Sequence, residues 1–262
     1  MNKGKDERGD ITMMVNGKIA TVSFYHPSHN ALPSSLLRKL ADSINRLGKD
    51  KAIHVILLKS EGEKTFCAGA NFDELLTISN EDEGKLFFSG FANVINAIRL
   101  ARQPVIGRIQ GKAIGGAVGL IAACDYCFAT IDASIKLSEL SIGIGPFVIA
   151  PALQRKIGLS AFTELTFNPL IFKKAGWALE KGLYQSVLDS IEAMDNSIDD
   201  FCKQLTNYSS VALYEIKKNL WRETKHWDLL LTSQAEISGK LIVNKTTKET
   251  LSTVKFGNKP VK

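Results

Sequence analysis

Cysteine, proline and long apolar runs are all scarce in this 262-residue chain, and each scarcity closes off a class of protein. The four cysteines, Cys67, Cys124, Cys127 and Cys202, are too few and too irregular for a disulfide scaffold. Cys124-x-x-Cys127 has no second pair of ligands at zinc spacing, so it reads as two small buried side chains and no metal is expected. The first residues, MNKGKDERGD, lack the apolar segment of a signal peptide, and with the cysteine usage this predicts a reducing, cytoplasmic setting. The longest apolar stretch, Ala113 to Cys124, is closed by Lys112 and Asp125 and falls well short of the roughly 20 residues that cross a bilayer. It reads as a buried helix, and no membrane partner is expected.

Also missing are the standard phosphate cradles. There is no GxGxxG with an acidic residue about 20 positions on and no GxxxxGK[ST], and Gly143-Ile144-Gly145 runs into Pro146 where free backbone donors would be needed. Nicotinamide and ATP chemistry are disfavoured, and the absence of a GxSxG elbow disfavours a serine hydrolase. Lys and Arg number 33 against 27 Asp and Glu, a formal charge of +6. Much of the excess is spread out through the last third, at Lys217, Lys218, Lys225, Lys240, Lys245 and Lys248, and nothing there resembles a dense basic stripe with interleaved aromatics. That is a solvated surface, not a nucleic-acid stripe.

What is present is a folded-protein composition, 45% hydrophobic and 23% charged. Residues 1–10 read as a frayed tail. Ile11 to Val15 and Ile19 to Tyr25 are β-prone runs around Asn16-Gly17, which predicts a hairpin over a type I′ turn. Leu36, Leu37, Leu40, Ile44 and Leu47 recur at helical spacing between Pro33-Ser34 and Gly48. Ala52 to Ser60 reads as a strand, followed by a polar loop, SEGEKTFCAGANF. Phe87, Phe91, Val94, Ile95 and Ile98 mark a second helix, ended by Gln103-Pro104. Val105 to Gln110 and Tyr126 to Ile131 read as further strands. Strands and helices alternate, so the class is α/β. The core is placed at 11–190, and residues 191–262 read as a helical region that would bury its apolar stripes on another surface. No repeat of fixed period is found.

Two glycine-rich turns each leave a strand and approach a helix: Cys67-Ala68-Gly69-Ala70-Asn71-Phe72, and Gly111 to Gly119. Small residues let backbone N–H groups approach a ligand, and the second turn opens a helix whose free donors favour negative charge, so together they could form an oxyanion hole. Close helix packing would explain the same glycines. Glu139 stands out because it lies between an apolar strand-like piece and a glycine-proline turn, where partial desolvation would raise its pKa toward acid/base use. An ordinary strand-end Glu is the plain alternative. His26 and His29 flank a proline turn and read as loop residues, not a metal pair.

The segments HPSHNAL (26–32), KTFCAGANFDEL (64–75), GKAIGGAVGLIAACD (111–125) and SELSIGIGP (138–146), in this order and spacing, resemble the enoyl-CoA hydratase/isomerase, or crotonase, superfamily from Ile11 to the final NKPVK. The resemblance implies a spiral of ββα units with a C-terminal helical trimerisation region, assembled as a trimer or a dimer of trimers. It implies an acyl-CoA thioester substrate, coenzyme A being part of that substrate and no separate cofactor being required. By motif position Ala70 and Gly116 would supply the oxyanion-hole N–H groups. Ala31, Ala68 and Phe72 would line the coenzyme arm, with Gly69 and Gly115 as further substrate contacts. Glu139 would move a proton at the acyl carbon. Gly119 stands where two-glutamate hydratases carry their second acid, and Asp73 where some members have a lysine near the coenzyme. The wording of the last two segments most resembles the methylglutaconyl-CoA hydratase branch, which implies hydration of an α,β-unsaturated acyl-CoA. The one-glutamate pattern also fits a Δ3,Δ2-enoyl-CoA isomerase, and loss of the second acid fits an inactive acyl-CoA-binding protein.

Overall fold

The β-prone runs at the amino end pair as expected, but over a different turn. In the computed structural model, which describes residues 9–257 with side chains through Val254, β1 (Asp10–Asn16) and β2 (Ile19–Tyr25) form an antiparallel hairpin. Asn16 pairs with Ile19, so the turn is Gly17-Lys18, and of its residues only Gly17 has a positive φ, 56°. Glycine at the first central position is the II′ pattern rather than I′, which would demand a positive φ of Lys18 as well. The expected tail lies outside the described residues up to position 8. Order starts before Ile11: Gly9 packs so closely that a Cβ there would stand 2.5 Å from the Tyr25 carbonyl oxygen.

The leucine stripe forms the buried face of α1 (Ser34–Lys49), and β3 (Val55–Ser60) runs parallel to β2. β4 (Thr65–Cys67) lies inside the stretch read as a loop, because three residues are too few to display a period. α2 (Phe72–Thr77) and α3 (Glu81–Leu100) start at Asn71 and Asn80, whose side chains accept the N–H groups of Glu74 and Glu83. After β5 (Val105–Ile109), the run expected to be one buried helix divides into β6 (Lys112–Ile114), Gly115 and α4 (Gly116–Ala123). Gly115 has φ 57° and ψ −127°, a backbone state that no right-handed helix passes through. Next come β7 (Tyr126–Thr130), β8 (Ser134–Lys136), a 3₁₀ turn at Glu139–Ile142 and α5 (Ala150–Phe167). β9 (Lys173–Lys174), α6 (Ala175–Glu180) and β10 (Ser186–Leu188) complete the strands. Then follow α7 (Ile191–Thr206), α8 (Ser210–Leu220), α9 (Trp227–Ile242) and α10 (Lys245–Gly257).

The strands form two sheets, ordered β1-β2-β3-β5-β7-β10 and β4-β6-β8-β9. Three times the chain lays one strand in the larger sheet, the next in the smaller, and then enters a helix, at β3-β4, β5-β6 and β7-β8. This is the spiral of ββα units that the resemblance implied. The main core fills the inside of the spiral, while Val55, Ile106 and Phe128 on the larger sheet pack on Met194, Ile198 and Cys202 of α7. α3 crosses α9 so tightly that a Cβ on Gly84 would stand 2.8 Å from the Gly239 Cα. α8 is tied to the core by buried Lys217, whose Nζ lies 2.9 Å from an Asp125 carboxylate oxygen and donates to the Ile98 and Gln103 carbonyls. Among the described residues no helix is long and apolar enough to cross a membrane.

Candidate active site

The smaller sheet delivers both glycine turns to one place. β4 and β6 are parallel neighbours, so the chain leaves them in the same direction: β4 into Ala68-Gly69-Ala70, β6 into Gly115-Gly116. Gly69, at φ 86°, packs so tightly on the second turn that a Cβ would lie 2.5 Å from the Ile114 carbonyl oxygen and 3.6 Å from the Gly116 nitrogen. Only glycine tolerates both that angle and that approach.

A strap holds the first turn from the other side. Leu32 N–H donates to the Gly69 carbonyl (2.8 Å) and Asn71 N–H to the Leu32 carbonyl (3.1 Å), so the intervening Ala70 N–H takes no part in this ladder. Ala68 N–H donates to the His29 carbonyl. The strap is fixed by Asn30, buried at φ 58°: its amide donates to the Glu61 and Thr65 carbonyls and its Oδ1 accepts the His26 N–H. Gly116 opens α4, so its N–H has no carbonyl one turn back to receive it. Phe91 of α3 covers it from behind: a Cβ on Gly116 would stand 2.4 Å from the Phe91 ring.

Both turns line a cavity of about 660 Å³. Ala31, Ala68, Gly69, Ala70, Phe72, Gly115, Gly116 and Glu139 are all on its wall, so the structure gathers every site residue read from the sequence except Gly119. β8 leads directly to Glu139, whose Oε1 lies 3.0 Å from where a Gly115 Cβ would be. The residue as a whole is half-buried, but its Oε2 is sealed from solvent and has no hydrogen-bond partner. Burial raises the carboxyl to about 7, opposed only by its own backbone N–H. A carboxyl in that state is protonated and ionised in comparable amounts near neutrality, which suits proton transfer in both directions.

Gly119 is buried behind Ile149, which is itself on the cavity wall. A Cβ there would stand 2.2 Å from Ile149 Cγ2, so the place of a second acid is absent from the sequence and also filled by isoleucine. Asp73 and Lys136 are on the wall; the Lys136 Nζ lies 4.5 Å from the Phe172 ring centre, and Lys112 approaches the same ring. The Cys67 thiol is no nucleophile: burial pushes it up to about 12, and its sulfur accepts the Gly69 N–H. His26 is buried, with its pKa lowered by desolvation, and its Nδ1 accepts the Ser28 N–H. Among the described residues no group of three or more His, Cys, Asp or Glu is placed to hold a metal ion.

Sequence reasoning missed four contributors. Asn30 was detectable, since Asn in a turn is enriched at positive φ. Ile149, Ser238 of α9 and Val254 of α10 carry no local signal, because only long-range folding brings them to this wall or behind it.

A spiral α/β body whose smaller sheet ends two strands beside a single desolvated carboxyl has the architecture of the crotonase class. The sequence profile described as enoyl-CoA hydratase/isomerase matches residues 14–255, and the chain belongs to that enzyme family. It is 27% identical to a short-chain-enoyl-CoA hydratase of Clostridium acetobutylicum over 94% of each chain. It is 36% identical to the mitochondrial methylglutaconyl-CoA hydratase of Mus musculus, over 53% of this chain and 44% of that one. Among solved structures, the enoyl-CoA hydratase of Bacillus halodurans superposes with a TM-score of 0.87 at 19% identity, covering 93% of this chain and 99% of that one.

Proposed function

We propose that the cavity binds an acyl-CoA thioester, that the Ala70 and Gly116 N–H groups hold its carbonyl oxygen as it becomes an enolate oxygen, and that Glu139 moves the proton. The observation that carries this is the unpartnered, desolvated Glu139 carboxyl on the same wall as two touching turns. Each fixed donor at a developing oxyanion contributes about 3 kcal/mol of transition-state stabilisation. Ala31, Ala68 and Phe72 would accept the coenzyme arm. On the same reading the copies assemble as a trimer or a dimer of trimers, which would cover part of the exposed apolar surface at Leu86, Ile216, Leu220 and Leu229.

The geometry favours double-bond isomerisation. With Ile149 in the place of a second acid, one carboxyl must do all the proton transfer. Glu139 takes a proton from C2 of a 3-enoyl thioester, the dienolate charge rests on the oxygen held by the two N–H groups, and the same carboxyl returns the proton to C4. The product is the conjugated 2-enoyl thioester, and no water enters. Hydration is the second reading, favoured by the full-length likeness to a short-chain-enoyl-CoA hydratase; Ser138 and Ser141, hydroxyls on the wall beside Glu139 in the chain, would then be the groups near the water.

Turnover in heavy-oxygen water separates the two. Isomerisation moves the double bond and leaves the product unlabelled, whereas solvent oxygen in a 3-hydroxyacyl product would assign hydration instead. No turnover and no deuterium exchange at the acyl carbons would make the chain a binding protein and refute both.

A further inference from the structure

Resting on the acyl-CoA reading above, we infer that Glu74 is a positioning residue of the oxyanion hole: its carboxylate grips the start of α1, holds Leu32 on the Gly69–Ala70 peptide and so aims the Ala70 N–H. The lever is that peptide group. The Gly69 carbonyl accepts the Leu32 N–H at 2.8 Å, and in a trans peptide the carbonyl and the following N–H point in opposite directions. One bond thus sets the direction of the donor that the ladder leaves unused. It also polarises the peptide, which makes the N–H at the other end a better donor. Whatever moves Leu32 moves the donor.

Leu32 is held from both sides. Asn30 fixes it on the amino side through its three side-chain bonds. On the other side Pro33, at φ −71°, joins it stiffly to Ser34, the first residue of α1. Pro33 gives this helix no side-chain cap, and no acid stands in its first turn. Glu74 supplies one from α2, 40 positions away: one carboxylate oxygen accepts the Ser34 N–H at 2.8 Å and the other accepts the Ser34 hydroxyl. A carboxylate on the free N–H of a helix start makes a charge-assisted bond, the strong kind. Glu74 is itself placed by the first turn, since Asn71 Oδ1 accepts its N–H at 3.0 Å while the Asn71 N–H donates to the Leu32 carbonyl. The bonds close a ring, from Leu32 to Gly69, through Ala70 and Asn71 to Glu74, across to Ser34 and back through Pro33. The Ala70 donor is carried inside it.

A cap alone would stabilise α1 and leave the donor as it is, so the test reads the thioester carbonyl. The ligand is hexanoyl-CoA, saturated and unreactive, with and without carbon-13 at the carbonyl, so that difference infrared spectra on the full chain isolate that one stretch. Two variants break the grip: Glu74→Ala, and Ser34→Pro, which removes the N–H and the hydroxyl together at a first helical position that tolerates proline. In the parent the bound stretch should lie below its frequency in water. In both variants it should return at least half of the way, with kcat for the reactive enoyl-CoA down about tenfold or more and hexanoyl-CoA affinity changed by less than about threefold. Glu74→Gln, which still offers an oxygen to the Ser34 N–H, should keep most of both signals. Ser190→Ala removes a serine cap from α7, which packs on the larger sheet, and should move neither. An unmoved stretch and kcat in Ser34→Pro and in folded Glu74→Ala, whatever the loss of stability, would overturn the inference and leave the acyl-CoA reading standing, as would an equal response to Ser190→Ala. If the parent binds no hexanoyl-CoA, or leaves its carbonyl unshifted, the acyl-CoA reading itself fails and takes the inference with it.

Discussion

Replacing Glu139 with Gln should cost activity and, above neutral pH, increase stability. Burial holds the carboxyl at about 7 against an ordinary 4.5, so between those values the folded chain keeps a proton that the unfolded chain has released. Native stability therefore falls as pH rises through this window, by about 1.4 kcal/mol per pH unit and about 3 kcal/mol in all. Below pH 4.5 both states are protonated and the penalty vanishes; above pH 7 it is fully present. Glutamine keeps the shape and cannot ionise, so the variant escapes the pH-dependent part. Urea denaturation of both proteins at pH 4, 5.5, 7 and 8.5 reads it out, because every other titrating group cancels in the difference. The variant should gain about 3 kcal/mol on the parent between pH 4 and 8.5, while turnover drops about 10²- to 10⁴-fold. In the parent, kcat/KM should climb about tenfold per pH unit until it levels near pH 7. A stability difference that is flat with pH, or a rate that levels near pH 4.5, would refute the desolvated carboxyl.

Gly69→Ala places a Cβ 2.5 Å from the Ile114 carbonyl at a φ of 86°, and should cost at least about 2 kcal/mol in thermal or urea unfolding together with most of the activity, since the two turns must separate. Unchanged activity would mean that their contact does not matter. Lys217→Met leaves Asp125 buried with only the Trp221 indole and the Val105 N–H as donors, and should destabilise by about 3 kcal/mol. Adding Asp125→Asn should recover part of that loss in the same assay, and a double variant weaker than the sum of the singles would contradict the pairing.

Elements with a full period were legible in the sequence. The leucine stripe of α1, the aromatic stripe of α3 and the strands β1, β2, β3, β5 and β7 of the larger sheet fall where the residues put them, because each is long enough to show its pattern, whereas the three-residue β10 went unread. Of the smaller sheet only β8 left a mark, the strand-like piece read at Ile135 to Leu137. β4, β6 and β8 have three residues each, and β6 sits in an apolar run whose only mark of a break is Gly115. α5 went unread as well, its pattern interrupted at Gly158, where φ is 76°. The spiral shows no sequence period because its turns differ in length: from β3 onward the larger-sheet strands begin at 55, 105, 126 and 186. At the site the two glycine turns and Glu139 were visible as motifs, but their contact was not. That Ile149 occupies the space beside Gly119 is a fact of three-dimensional packing between residues 30 positions apart, on which single-chain pattern has no purchase.

The Gly84–Gly239 crossing has reach beyond the two helices it joins. The helix that carries Gly84 also carries Phe91, whose ring backs the Gly116 amide, so the spacing between α3 and α9 sets how firmly that amide is braced. A methyl group added at Gly239 would meet the backbone at Glu81 and Lys85 and lever the rod that supports the donor. The carboxy-terminal helices are in this sense a buttress of the reaction chamber, and changes selected in them for reasons of their own would be felt by the chemistry a helix away.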